Sequence, residues 1–132
     1  PEQLDRMARL DAALAVARAE PVAVERSAAG PWLERVLASP APGTLTVVFH
    51  SVFAFYLQPH EWTQVVETVT AAGAAATTSA PVAHVSYELS EGGRSDGRMD
   101  VTLESWPDGG RTLLATCGPH GDGIEWFGDH PG

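Results

Sequence analysis

The run Thr44-Leu45-Thr46-Val47-Val48-Phe49-His50-Ser51-Val52-Phe53 decides how this chain folds. Residues 45–49 are continuously β-branched, aliphatic or aromatic, which is the composition of a strand covered on both faces in the middle of a layered sheet. The polar pair His50-Ser51 follows. In open α/β sheets ligands settle beyond the carboxyl ends of parallel strands, so this reading sets His50 and Ser51 on a ligand-facing rim.

Working outward, a helix is expected from Pro59, with Glu61 in its first turn, Trp62, Val65, Val66 and Val69 turned inward, and Gly73 as the residue just past its end. Residues 74–80 read as a loop of small residues. Residues 81–89 read as a strand through Val82, Val85, Tyr87 and Leu89, and residues 91–97 as a turn-rich stretch. Met99, Val101 and Leu103 alternate with Asp100, Thr102 and Glu104, the mark of a half-buried strand. Pro107-Asp108-Gly109-Gly110 supplies a turn, residues 112–117 its hairpin partner, and residues 124–127 an extension of the sheet. The tail from Asp129 is expected to fray.

Upstream, Leu4, Met7, Leu10, Leu14 and Ala17 form one apolar stripe, predicting a helix over residues 1–19 that Pro21 stops. Residues 22–26 read as a short β-type run. Gly30-Pro31 opens a second helix with Trp32, Leu33, Val36 and Leu37 on one face. The first half therefore alternates helix and strand, and the second is a run of strands. That order predicts a single mixed-sheet α/β domain, parallel at first and antiparallel at the terminal hairpin.

Composition narrows the function classes. The 132 residues carry 44% hydrophobic residues and a mean hydropathy of −0.06, values of a folded globular chain. No segment approaches the roughly 20 apolar residues of a membrane span, and none has the pattern of a secretory signal. Seventeen acids oppose eight bases, all of them Arg, for a net charge of −9. Nucleic acids and anionic membranes both select concentrated positive charge, so neither is an expected partner. The single Cys117 excludes an internal disulfide and fits a reducing, cytoplasmic compartment. It reads first as a small buried strand residue. The chain opens on Pro1 rather than Met, which reads either as a trimmed chain or as one that begins partway through a longer protein.

Four residues are candidates for chemistry. His50 can act as a general base or hold a substrate, its ordinary pKa suiting either; its bland alternative is to cap backbone groups at the loop. Glu88, near the end of the next strand, falls beside His50 if the two strands are parallel, and such a pair is an acid–base or orienting arrangement; a solvated rim acid is the alternative. Ser51 lies in no Gly-x-Ser-x-Gly elbow and is a substrate-binding candidate rather than a nucleophile. Tyr56 follows on the segment roofing the rim, as a ligand contact or as simple packing. The other histidines, His60, His84, His120 and His130, make no metal-ligand spacing, and no metal site is expected. No glycine-rich loop between a strand and a helix offers a cofactor cradle.

The stretch from Thr44 to Pro59, with His50-Ser51 followed after four residues by Tyr56, resembles the central part of the bacterial family known as domain of unknown function 2332. Arg9-Leu-Asp-Ala-Ala-Leu-Ala-Val-Ala-Arg18, Leu103-Glu-Ser-Trp-Pro-Asp-Gly-Gly110 and Pro119-His-Gly121 resemble it in the same order. Upstream, members look like Rossmann-like, S-adenosylmethionine-dependent methyltransferases. The resemblance implies that this chain supplies the later strands of a methyltransferase-like sheet, with residues 22–26 as the third strand, 44–53 the fourth, 81–89 the fifth and the hairpin the last two. The cofactor-binding half would lie elsewhere, and the chain alone would be inactive; a non-catalytic interaction or scaffolding domain is the other reading. The sequence departs from the family at Ala54-Phe55, where an aromatic-polar pair is usual, and has no helix signal before the hairpin. Under this mapping the strand at 44–53 needs a cover on its outer edge. The cover is expected from a second copy in a homodimer, from a missing N-terminal half, or from pairing with residues 22–26.

Overall fold

The structure is a computed structural model that describes residues 2–90 and 97–128. It is a mixed α/β fold: helices α1 (Glu2–Ala19), α2 (Ala29–Leu37) and α3 (Pro59–Ala74), and strands β1 (Thr46–Ser51), β2 (Val82–Leu89), β3 (Met99–Trp106), β4 (Arg111–Cys117) and β5 (Glu125–Trp126). The five strands form one sheet in the order β1-β2-β3-β4-β5. β1 and β2 run parallel, joined by α3, and every later pairing is antiparallel. The expected change from helix–strand alternation to a strand meander is therefore present.

Local chemistry sets the elements that matter for the site. Pro59 occupies the start of α3, where a missing N–H costs nothing, and Glu61 Oε2 accepts the Gln58 N–H at 2.8 Å. α2 and α3 pack on one face of the sheet around buried Leu33, Val65 and Val69, with Trp32, Val48, Leu57 and Trp106 against them. Each such buried aliphatic side chain stabilises the layer by about 1.5–3 kcal/mol. Gly73 lies inside α3 rather than beyond its end, since the helical hydrogen bonding runs on through the Ala75 N–H to the Ala71 carbonyl, and the Trp106 ring occupies the place of its side chain: a Cβ there would meet the indole at 2.4 Å.

Three expectations are corrected. Residues 22–26 form no strand; they are exposed coil, and Val24 is 93% exposed, since no neighbouring strand offers them hydrogen bonds. They cannot serve as the third strand or cover β1. β1 lies at the sheet's edge rather than in its middle, and only one of its faces is covered. Thr46, Val48 and His50 turn toward the helices, while Val47 and Phe49 are 51% and 66% exposed. The helix over residues 2–19 forms, but its stripe of Leu4, Met7, Leu10 and Leu14 is exposed along its length.

The turn expected at residues 91–97 lies, apart from Gly97, outside the described residues, as does the tail from 129. Cys117 is buried, its Sγ 3.8 Å from the Tyr87 hydroxyl, as a small strand residue should be. Among the described residues no helix is long and apolar enough to cross a membrane.

Candidate functional site

Strand parity builds the site. The parallel register sets Val48 beside His84 and His50 beside Ser86, and the antiparallel register sets His84 beside Glu104, Ser86 beside Thr102 and Glu88 beside Asp100. Residues opposite one another share a face. The sheet face under α3 is therefore polar along β2 and β3, while alternate positions carry Val85, Tyr87, Val101 and Leu103 to the other face.

On that polar face four side chains form one chain of contacts. Glu88 Oε1 lies 2.7 Å from His50 Nδ1, His50 Nε2 lies 2.9 Å from His84 Nε2, and His84 Nδ1 lies 3.5 Å from Glu104 Oε2. The indole of Trp62 meets the His50 ring edge-on at 5.4 Å between centroids and closes it from above. The two imidazoles in the middle of the chain are the least exposed, at 9% and 11%, and Glu104 at its end is the most exposed, at 31%.

Glu88 has a second task. Its Oε1 also accepts the Phe53 N–H at 2.7 Å and the Ala54 N–H at 3.3 Å. These donors lie just past Val52, whose φ of +49° is a conformation β-branched residues rarely adopt. The Val52 N–H donates to the Tyr87 carbonyl at 2.8 Å. Two fixed points thus hold a strained turn at the carboxyl end of β1, and local strain of this kind costs about 1–3 kcal/mol.

The hydrogens can be assigned by counting. Glu88 Oε1 accepts two backbone N–H groups, and toward an ionised carboxylate a hydrogen on His50 Nδ1 completes the third contact. In neutral His50 the Nε2 is then an acceptor, and His84 Nε2 must donate to it. His84 Nδ1 is left bare, facing Glu104 across the widest gap of the three. Burial, and then the neighbouring His50, hold the His84 pKa below its ordinary value of 6.5. The three contacts need three hydrogens and two neutral imidazoles bring two, so the chain has room for one more proton, at His84 Nδ1.

A groove of about 400 Å³ opens over this chain. Trp62, Val66 and Thr70 of α3 form one wall; His84, Ser86, Thr102, Glu104 and Arg111 form the floor and lip. The Ser86 and Thr102 hydroxyls bond to each other at 2.6 Å across it. A second cavity of about 410 Å³ lies on the other side of His50, between α2 and the open side of β1, lined mainly by apolar groups such as Trp32, Val48 and Phe53.

Of the residues singled out by sequence, His50 and Glu88 come together. Ser51 does not join them: it is exposed, and parity turns it to the opposite face. Tyr56 is 76% exposed and sets its ring edge against Phe55. His84 and Glu104 were not among the sequence candidates. Their signal was present as period-two polarity in His84-Ser86-Glu88 and Asp100-Thr102-Glu104, but polarity on a strand ordinarily marks a solvent face. Among the described residues no group of three or more His, Cys, Asp or Glu is placed to hold a metal ion.

No curated protein and no solved structure matches the chain. A family profile, described as an uncharacterized protein conserved in bacteria (DUF2332), matches residues 1–126. That span includes every strand and helix of the fold and each of Glu88, His50, His84 and Glu104, and on it the chain belongs to the DUF2332 family.

Proposed function

We propose that this chain is the substrate-side part of a methyltransferase-like, Rossmann-related bacterial protein, in which the His50–Glu88 pair is the part-buried anchor of an acid–base site. The observation that carries the reading is the 2.7 Å contact between His50 Nδ1 and Glu88 Oε1 at the carboxyl ends of two adjacent parallel strands. This is where open α/β sheets hold their ligands. A carboxylate behind an imidazole fixes its tautomer and stabilises the protonated ring, which is what removal of a proton from a nucleophilic substrate requires. Both nitrogens of His50 are engaged, so His50 and Glu88 act as positioning residues and the proton traffic runs through His84.

The residues of this chain do not suit S-adenosylmethionine. The loop after β1, Val52-Phe53-Ala54-Phe55-Tyr56-Leu57-Gln58, holds no glycine and is braced by Glu88 against a close backbone approach. No step is therefore assigned to that cofactor within this chain. Its place in this reading is beyond the open edge of β1, on strands contributed by the rest of the protein. The apolar cavity beside β1 supports that placement, and the placement requires that the rest of the protein cover the outer edge of β1.

The test is calorimetric titration of S-adenosylmethionine into this chain and into a longer protein containing it. Binding to the longer protein alone supports the reading. Binding to neither overturns it and favours a non-catalytic interaction domain, for which the exposed Val47, Phe49 and α1 stripe are the specific support.

A further inference from the structure

We propose that the groove between α3 and the β2–β3–β4 floor takes a small substrate carrying a carboxylate or phosphate, with that anionic group on Arg111 and the substrate's exchangeable proton passing to His84 Nδ1. The inference rests on the acid–base reading above and names its substrate class.

Three observations carry it. First, His50 spends both of its nitrogens on contacts of 2.7 and 2.9 Å with Glu88 and His84, whereas His84 Nδ1 has only the looser 3.5 Å contact with Glu104. Second, exposure is greatest at the Glu104 end, where the groove opens. Third, Arg111 stands opposite Glu104 in the β3–β4 register and lines the same groove. Among the described residues no carboxylate lies within ion-pair distance of it, although it is near enough to His84 for its charge to be felt there. A guanidinium at the lip of a part-apolar groove selects a planar or tetrahedral oxyanion, which it can bind through two parallel N–H groups. Trp62 and Val66 on the opposite wall favour a substrate with a short apolar body.

The step balances without a further reactant. The X–H bond of a substrate hydroxyl, amine or thiol breaks, its electron pair stays on X, and the proton goes to His84 Nδ1. That proton supplies the third hydrogen the chain lacks, and the resulting imidazolium faces Glu104 on one side and His50, backed by Glu88, on the other. Beside His50, Arg111 opposes a positive charge there, and an anion seated on Arg111 removes that part of the opposition. α3 presents only the neutral Trp62, Val66, Val69 and Thr70 to the site.

The experiment is an NMR titration of the 132-residue chain labelled with ¹⁵N-histidine, using inorganic phosphate, acetate and, as a neutral comparison, acetamide; H84Q assigns the His84 signals. The expected result is a shift of the His84 ring nitrogens with phosphate or acetate, a His84 titration midpoint moved to higher pH, and no response to acetamide. R111Q, at an exposed position, should weaken the anion response about tenfold while leaving the urea midpoint unchanged. Phosphate acting without acetate, or the reverse, decides which oxyanion is meant. A His84 response that is absent, or is the same in R111Q, overturns the proposal. The signals of His50 report separately on its bond to Glu88, so a failed groove is distinguishable from a failed acid–base pair.

Discussion

The Nε2 atoms of His50 and His84 face each other at 2.9 Å, and the other nitrogen of each ring faces a glutamate. One imidazole must donate and the other accept, so a single hydrogen serves the contact between them. Neighbouring strands in parallel register place them so.

Glu88→Ala deprives the Phe53 and Ala54 N–H groups and His50 of their common acceptor. Leaving part-buried donors unpaired costs about 2 kcal/mol, whereas Glu88→Gln keeps an acceptor oxygen and loses about 1 kcal/mol with the charge. Urea denaturation of the two variants should rank them in that order. Equal stability of E88A and the natural chain removes Glu88 as the brace of the β1 turn.

Stability should fall on acidification. His84 has a lowered pKa when folded, so below about pH 6.5 the unfolded chain binds the proton more readily than the native one. The stability His84 permits is complete above its unfolded pKa and is lost as pH falls from there toward its folded value. The slope attributable to His84 is at most one proton, and it should vanish in His84→Gln when unfolding is measured across pH 7.5 to 5 (about the span of histidine titration). A slope that survives in H84Q assigns the linkage to another group.

Two effects compete in Gly73→Ala. Alanine is favoured over glycine in a helix by about 1 kcal/mol, but its Cβ would meet the Trp106 ring at 2.4 Å. The contact is with the fused bond of a packed indole, not with the free end of a flexible chain, and overpacking of that kind costs about 1–3 kcal/mol. The clash should win and lower the thermal midpoint. A stabilised G73A would show that Trp106 can leave α3 freely.

Val52→Gly should raise stability by about 1 kcal/mol, because the strain that valine bears at φ of +49° exceeds the entropic cost of glycine, which adopts that angle freely. Chemical denaturation measures the gain. A loss larger than about 1 kcal/mol would mean that packing of the Val52 side chain outweighs the backbone strain.

The exposed Val47 and Phe49, on a strand with an unpaired edge, favour self-association. Phe49→Lys should shift sedimentation of the isolated chain toward the monomer and leave the secondary structure unaltered. An association state unaffected by F49K places any self-contact elsewhere.

Much of the architecture was legible in the sequence. Both helices flanking β1, the strands at 82–89 and 99–106 and the hairpin after Pro107 were set by apolar spacing and by proline and glycine punctuation, which act within a few residues. Residues 22–26 misled for the same reason: Val22-Ala23-Val24 has strand composition, but a strand exists only where another backbone offers hydrogen bonds, and none does. The run 45–49 likewise fixes a strand without fixing its neighbours, so its apolar character was compatible with a middle position although β1 lies at an edge.

For the candidate site, sequence by itself determined the chemical types available and that His50 and Glu88 would meet if their strands ran parallel. Only the tertiary structure decided that they do, that His84 and Glu104 extend the pair, and that Ser51 and Tyr56 stand away from it. The reason is geometric: a strand's own sequence dictates which residues share a face, but the choice of face that α3 covers comes from packing between elements distant in the chain. That choice turned an alternating polar pattern, ordinarily a wetted surface, into a part-buried run of proton-bearing groups.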